Sequence, residues 1–241
     1  MRAALLTIGD EVVSGDVTNT NAAWLAQRLE SLGVKVVVAT AVRDEMDAIA
    51  DFVNRERPRV DHVIVTGGLG GTPDDLTREA LAAAFGVGQV EVPELAAELR
   101  RRFPKHPDYA ARWALLPVGS RPLQNPKGGA PGFVLENVRA LPGLPSEMEA
   151  MFDAYADELR GDEPIASWRH TFATRESDIV HVLSGATVRW PDVSIGSYPR
   201  FEATGPQVEV VLKSAHPKSL AEAVGWIEPE LAAATGNARS N

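Results

Sequence analysis

Residues 62–77 read HVIVTGGLGGTPDDLT, and this stretch decides the fold. An apolar strand over 62–66 breaks at a glycine-rich turn, after which Leu76, Ala80, Leu81 and Ala84 recur at helical spacing. The same phrase occurs twice before it. Residues 3–8 (AALLTI) lead to a helix whose face is Ala22, Leu25, Leu29 and Leu32, stopped by Gly33. Residues 34–38 lead to a helix marked by Met46, Ile49, Ala50 and Val53. Strands that are apolar throughout and alternate with helices predict an α/β fold of three αβα layers, its sheet mostly parallel and joined by right-handed crossovers.

Working outward, a helix is predicted near 94–102, and 109–116 has no clear period. From 141 the segment LPGLPS enters a helix with Met148, Met151, Phe152, Tyr155 and Leu159 on one side. A first domain over 1–163 is expected to end in a connector at 161–164. A smaller α+β domain over 164–235 follows, with strands at 169–173, 193–197 and 208–212, helices at 176–183 and 219–231, and a disordered tail over 236–241.

Composition narrows the chemistry. The 241 residues are 44% hydrophobic and 24% charged, which suits a globular chain with a substantial core. No stretch has the roughly 18 apolar residues of a membrane span, and no signal peptide opens the chain, so a cytoplasmic protein is expected. The absence of cysteine removes disulfides, thiol nucleophiles and sulfur-held metals. His62, His106, His170, His181 and His216 lack ligand spacing, which leaves carboxylates to hold any hard divalent cation. A net charge of −9 argues against nucleic acid as a partner.

In a parallel sheet the strands end at one edge, where ligands bind. Order along the chain therefore places Asp10 and Glu11 after the first strand, Asp44 after the second, and Asp74 and Asp75 after the third on one rim. Beside them Gly67, Gly68, Gly70 and Gly71 permit close backbone approach, and a helix opened by Pro73 would aim free amides at an anion. An anion cradle beside a carboxylate cluster implies a divalent cation between acids and phosphate. The turn matches neither the P-loop nor the dinucleotide fingerprint. Thr72 and Asp75 also read as a helix cap, Asp44 as a cap of the second helix, and Ser146 with Glu149 as a capping box. A second loop, NPKGGAPG at 125–132, offers Lys127 and Gly128 to a phosphate or else a plain surface turn, and Ser14 and Gly15 are candidates to close over the ligand. His181 and the tryptophans are assigned to packing or surface.

Taken together, GDEVVSG with NTN, TGGLGGTPDDLT, NPKGGAPG, LPGLPSEM and IGSYP resemble the CinA family of competence/damage-inducible proteins, and more narrowly its N-terminal, molybdopterin-binding-like (MoaB/Mog) domain. The likeness spans nearly the whole chain. The amidase domain that follows in such proteins has no place in these 241 residues. The resemblance implies a homo-oligomer, dimer or trimer, that binds a pterin or a nucleotide diphosphate at the glycine edge. Its implied activity is metal-dependent hydrolysis of ADP-ribose or FAD, with adenylylation of molybdopterin, or binding of a pterin or nucleotide without catalysis, as alternatives. Asp10, Glu11, Asp44 and Asp75 would hold Mg²⁺, Mn²⁺ or Co²⁺, with Asp75, Asp44 and Asp10 in the catalysis. Ser14, Gly15, the 67–72 turn through Thr72, Lys127, Gly128, Pro142 and Gly143 would contact the substrate, and molybdopterin itself is a candidate ligand. One departure stands out: Gly71 occupies the place where the family pattern would have proline.

Overall fold

A computed structural model describes residues 1–161 and 164–237. The chain divides into two compact units, Met1–Asp162 and Glu163–Asn241. Among the described residues no helix is long and apolar enough to cross a membrane.

The first unit runs β1 (Arg2–Ile8), α1 (Asp10–Ser14), α2 (Thr20–Ser31), β2 (Lys35–Val42), α3 (Met46–Glu56), β3 (His62–Thr66), α4 (Thr77–Phe85), β4 (Gln89–Glu91), α5 (Pro93–Arg102), α6 (Pro107–Ala111), β5 (Leu115–Pro117), β6 (Arg121–Leu123), β7 (Gly132–Leu135), β8 (Val138–Leu141) and α7 (Pro145–Ala154). Its six-stranded sheet has the order β2-β1-β3-β8-β7-β6. The pairs β2-β1, β1-β3 and β3-β8 are parallel, and the last two pairs are antiparallel. The expected mostly parallel, three-layer α/β arrangement is therefore present.

Alternation along β1 explains the layers. Ala4, Leu6 and Ile8 pack with Ile49, Phe52 and Val53 of α3 and with Ala80, Leu81 and Ala84 of α4. Ala3 and Leu5 pack on the opposite face with Leu25 and Leu29 of α2 and with Met148, Met151 and Phe152 of α7. Both faces of the central strands are thus dry, which is why their sequences read as unbroken apolar runs. Each such fully buried aliphatic side chain contributes about 1.5–3 kcal/mol through its transfer from water.

Local expectations change at several points. Residues 10–14 form a single helical turn, closed by Gly15 in the left-handed conformation (φ 88°). The helix after the glycine turn begins at Thr77 with Leu76 as its cap, not at Pro73. Asp44 does not cap α3, whose cap is Glu45 without a side-chain bond, and no side chain caps α7. The unassigned 109–116 segment resolves into α6, a 3-10 turn over Arg112–Ala114 and β5.

The second unit contains β9 (Ala166–Phe172), α8 (Glu176–Arg189), β10 (Ser194–Glu202), β11 (Gly205–Ser214) and α9 (Pro217–Asn237). Its sheet is antiparallel in the order β10-β11-β9. Val208, Val210 and Leu212 of β11 form the core with Ile179, Val182 and Ala186 of α8 and Ala223 and Ile227 of α9. The helix α9 extends through Asn237, and of the expected tail residues 238–241 lie outside the described residues, as do 162 and 163 of the expected connector.

Candidate functional site

A cavity of about 560 Å³ opens at the carboxyl edge of the parallel strands. Its walls are the ends of β1 (Thr7, Ile8), the 67–70 turn after β3 and the 142–145 turn after β8, with Glu11, Asp44, Asp74 and Asp75 supplying carboxylates. This is the edge at which open α/β sheets bind ligands.

The glycine turn owes its shape to the first residues of α4. Thr77 Oγ1 donates to the Gly67 carbonyl at 2.7 Å and the Thr77 N–H to that of Gly68 at 3.2 Å. Arg78, only 4% exposed, donates through its two terminal nitrogens to the carbonyls of Leu69 (2.7 Å) and Gly70 (2.6 Å). Every carbonyl from 67 to 70 is thereby drawn back toward the helix. The amides divide differently. Gly67 N–H donates to Leu141, and Gly70 and Thr72 N–H donate to the two oxygens of Asp75 at 2.8 Å each, while the Thr72 hydroxyl donates to Asp75 as well. Among the described residues the amides of Gly68 and Leu69, both on the cavity wall, have no internal acceptor. Adjacent free N–H groups whose carbonyls are turned away form an anion-receiving concavity.

This arrangement revises the roles expected within the motif. Asp75 has both carboxylate oxygens engaged by the turn it shapes, so it braces that turn from the cavity wall. Among the described residues the amides of Gly68, Leu69 and Gly71 have no partner within the turn or beyond it, and Gly71 and Thr72 do not line the cavity. Gly67 serves a close approach, because at φ 101° any side chain there would run into the Ile8 carbonyl.

The acids gather more tightly than chain order alone could show. Asp10 and Asp44 exchange bonds: the Asp10 N–H donates to Asp44 Oδ2 (3.0 Å) and the Asp44 N–H to Asp10 Oδ1 (3.3 Å), clasping the ends of β1 and β2. Arg43 lies 3.6 Å from the same Asp10 oxygen. Burial pushes the Asp44 carboxyl above its ordinary range, opposed by the Asp10 N–H and reinforced by the charges of Asp10, Glu11 and Asp74. The neighbouring Thr72 side chain and the amide of Asp74 itself hold Asp74 below that range. Asp10, Glu11, Asp44 and Asp74 therefore share one electronegative patch. Even so, among the described residues no three carboxylates or imidazoles converge in a preformed metal-binding group.

Other expected contacts fall outside the cavity. Ser14 donates to the Glu11 carbonyl (3.2 Å) and to Asp16 (2.6 Å), and Gly15 serves the end of α1. Lys127 is exposed and its N–H is held by Asn125 Oδ1 (3.0 Å), while Gly128 turns the chain at φ 92° beside Arg102. Neither lines the cavity, whereas their neighbours Gly129 and Ala130 do. Pro142 and Gly143 line it, and Gly143 accepts from Asn21 Nδ2 at 2.8 Å. Sequence reasoning missed two residues here. Arg78 lies on the buried face of α4 with Thr77 and Leu81, where a lone arginine in an apolar period signals a buried polar task. Trp113, expected to be packing, also lines the cavity.

Comparison with known proteins agrees with this geometry. Residues 4–161 match the family described as probable molybdopterin binding domain, and residues 166–237 match the FAD synthase middle domain. A CinA-like protein of Frankia casuarinae is 42% identical over 98% of this chain, which spans 58% of that relative's length. A protein of Archaeoglobus fulgidus is 35% identical over 83% of this chain and 86% of its own. The crystal structure of CinA from Thermoplasma acidophilum superposes with a TM-score of 0.63 and 31% identity, covering 66% of this chain and 97% of that one. The chain belongs to the probable molybdopterin-binding domain family, in the CinA-like form that joins this domain to one of the FAD synthase middle type.

Proposed function

We infer that the first unit binds a nucleotide diphosphate such as ADP-ribose or FAD and hydrolyses its pyrophosphate linkage. The observation that supports this reading is the polarity of the 67–70 turn: its carbonyls are tied to Thr77 and Arg78, and the amides of Gly68 and Leu69, residues of the cavity wall, have no acceptor among the described residues. A diphosphate oxygen supplies what those donors lack.

Across the cavity the carboxylates would repel that anion unless a cation stood between. The donor set is all hard oxygen, as Mg²⁺, Mn²⁺ or Co²⁺ requires, and a cation would relieve both the burial that raises Asp44 and the lesser repulsion from Asp10, Glu11 and Asp74. Glu11, Asp44 and Asp74 would hold it, with Asp10 fixing Asp44 in place. Bound there, the cation would offset the negative charge that builds on the bridging phosphate oxygen. Asp44, on the cavity wall and fixed by Asp10, is the carboxylate placed beside the cation to take a proton from the attacking water. Asp10 positions Asp44 through the exchanged backbone bonds.

Incubation with ADP-ribose or FAD and each of the three cations tests the reading. AMP release is expected with at least one, and no release with any of them would refute it. The description of the matched family favours a second reading, in which the same amides hold the phosphate of molybdopterin. Adenylylation of molybdopterin from ATP, with no hydrolysis of ADP-ribose, would establish that reading instead.

A further inference from the structure

The departure at Gly71 leads to a part of the cavity that the phosphate chemistry leaves unused. A side chain at Gly71 would place its first carbon 2.6 Å from the Tyr109 ring, so the missing side chain is what lets Tyr109 lie against the glycine turn. Tyr109 remains 43% exposed, yet its ring meets Trp113 edge-on at 5.8 Å. Phe103 meets Trp113 edge-on from another direction at 5.3 Å. Trp113 is thus held between two rings, and it reaches the wall of the same cavity that contains the Gly68 and Leu69 amides. Its indole N–H is buried and has no acceptor among the described residues. Buried indole N–H groups are ordinarily bonded, and one left unpaired on a residue of the cavity wall is complementary to a ligand acceptor.

We propose that Trp113 is the contact for the heterocyclic head of the ligand, seated by a wedge made of Tyr109 and Gly71. The proposal rests on the reading of the cavity as a diphosphate site. With the phosphates on the turn amides, the rest of a nucleotide or pterin is a planar ring system with ring-nitrogen or carbonyl acceptors. Trp113 offers such a ring both a polarisable surface and one donor. Tyr109 is a positioning residue, and Gly71 sets specificity by leaving room for it.

Binding to the full chain is measured by calorimetry and by fluorescence, for wild type and for Trp113→Leu, Trp113→Phe and Gly71→Ala. The probes are ADP-ribose, pterin-6-carboxylate and inorganic pyrophosphate, the last having no heterocycle. Base–aromatic contacts of this kind correspond to roughly tenfold or more in affinity. Trp113→Leu is therefore expected to weaken ADP-ribose or the pterin by about tenfold or more while changing pyrophosphate less than about twofold. Whichever heterocyclic probe responds identifies the source of the ring. Trp113→Phe, which keeps a ring and loses the N–H, should fall between, and Gly71→Ala should lose affinity for the same probe because it displaces Tyr109. Unchanged heterocycle binding in Trp113→Leu would overturn the proposal, as would an equal loss for pyrophosphate, or a wild type that binds neither heterocyclic probe. Trp113-dependent binding without AMP release would sink the hydrolytic reading alone. AMP release with an unchanged KM in Trp113→Leu would sink this proposal alone.

Discussion

Two glycine-rich loops flank the cavity, and they resemble each other more in sequence than in physics. In the 67–72 turn the carbonyls are bound by Thr77 and Arg78, and two wall amides are free. In the 125–132 loop the bonds close on the loop itself. Asn125 donates to the Ala130 carbonyl (3.0 Å) and to Glu147 (2.9 Å), and its own oxygens accept from Lys127 and Gly128. The first loop presents donors, and the second is a strap. Glycine content permits both, and the direction of the carbonyls decides between them.

That contrast is sharpest at Arg78. Arg78→Leu would orphan the Leu69 and Gly70 carbonyls, each such bond to a charged donor being worth about 1.5–3 kcal/mol. Denaturant unfolding should show a loss of roughly 3–5 kcal/mol, and pyrophosphate binding should disappear in the folded fraction. A variant that still binds pyrophosphate normally would break the distinction between the loops. Gly67→Ala forces a side chain onto the Ile8 carbonyl at positive φ and should cost roughly 3 kcal/mol. Gly128→Ala meets only the end of the Arg102 side chain and should cost about 1 kcal/mol. Equal losses in melting experiments would contradict the difference in backbone crowding.

Asp44 gives a smaller effect of opposite sign. A folded-state pKa raised above 3.8 means that ionising Asp44 lowers stability as pH rises through that window. Asp44→Asn should match wild type below about pH 3.8 and exceed it by up to ~1 kcal/mol at pH 7, after solvent screening. Its AMP release should fall at the same time. The smallest effect is expected at Lys127. Lys127→Ala should change pyrophosphate affinity less than about twofold, since an exposed lysine outside the cavity gains little from distant charge. A tenfold loss would restore the strap to the binding site.

The sequence made the sheet legible because parallel strands are buried on both faces, leaving apolar runs such as HVIVT at 62–66 that no other element imitates at that length. The edge of the sheet that carries the cavity followed from strand order. What stayed hidden was hydrogen bonding inside the loops. Thr72-Pro73-Asp74-Asp75 has the residues of a helix start, but Asp75 satisfies the Gly70 and Thr72 amides and the helix waits until Thr77. A cap and a brace use the same carboxylate chemistry, and only geometry separates them. The short strands β6 and β7 carry too few residues for a readable period. In the second unit, β10 runs on through Pro199 to Glu202, past the expected end at 197. Proline is tolerated there because β10 is an outer strand, whose missing N–H interrupts no ladder. Trp113 was concealed by the absence of any period in its segment.

The choice of a guanidinium to hold the Leu69 and Gly70 carbonyls has a consequence for how the molecule meets acid. Burial draws the Arg78 pKa downward, yet a guanidinium keeps its proton throughout the range in which aspartates and glutamates titrate. Acidification would therefore neutralise the carboxylate rim while the Arg78 clasp on the Leu69 and Gly70 carbonyls stays charged, so that on the proposed reading turnover would be lost to acid before that clasp is.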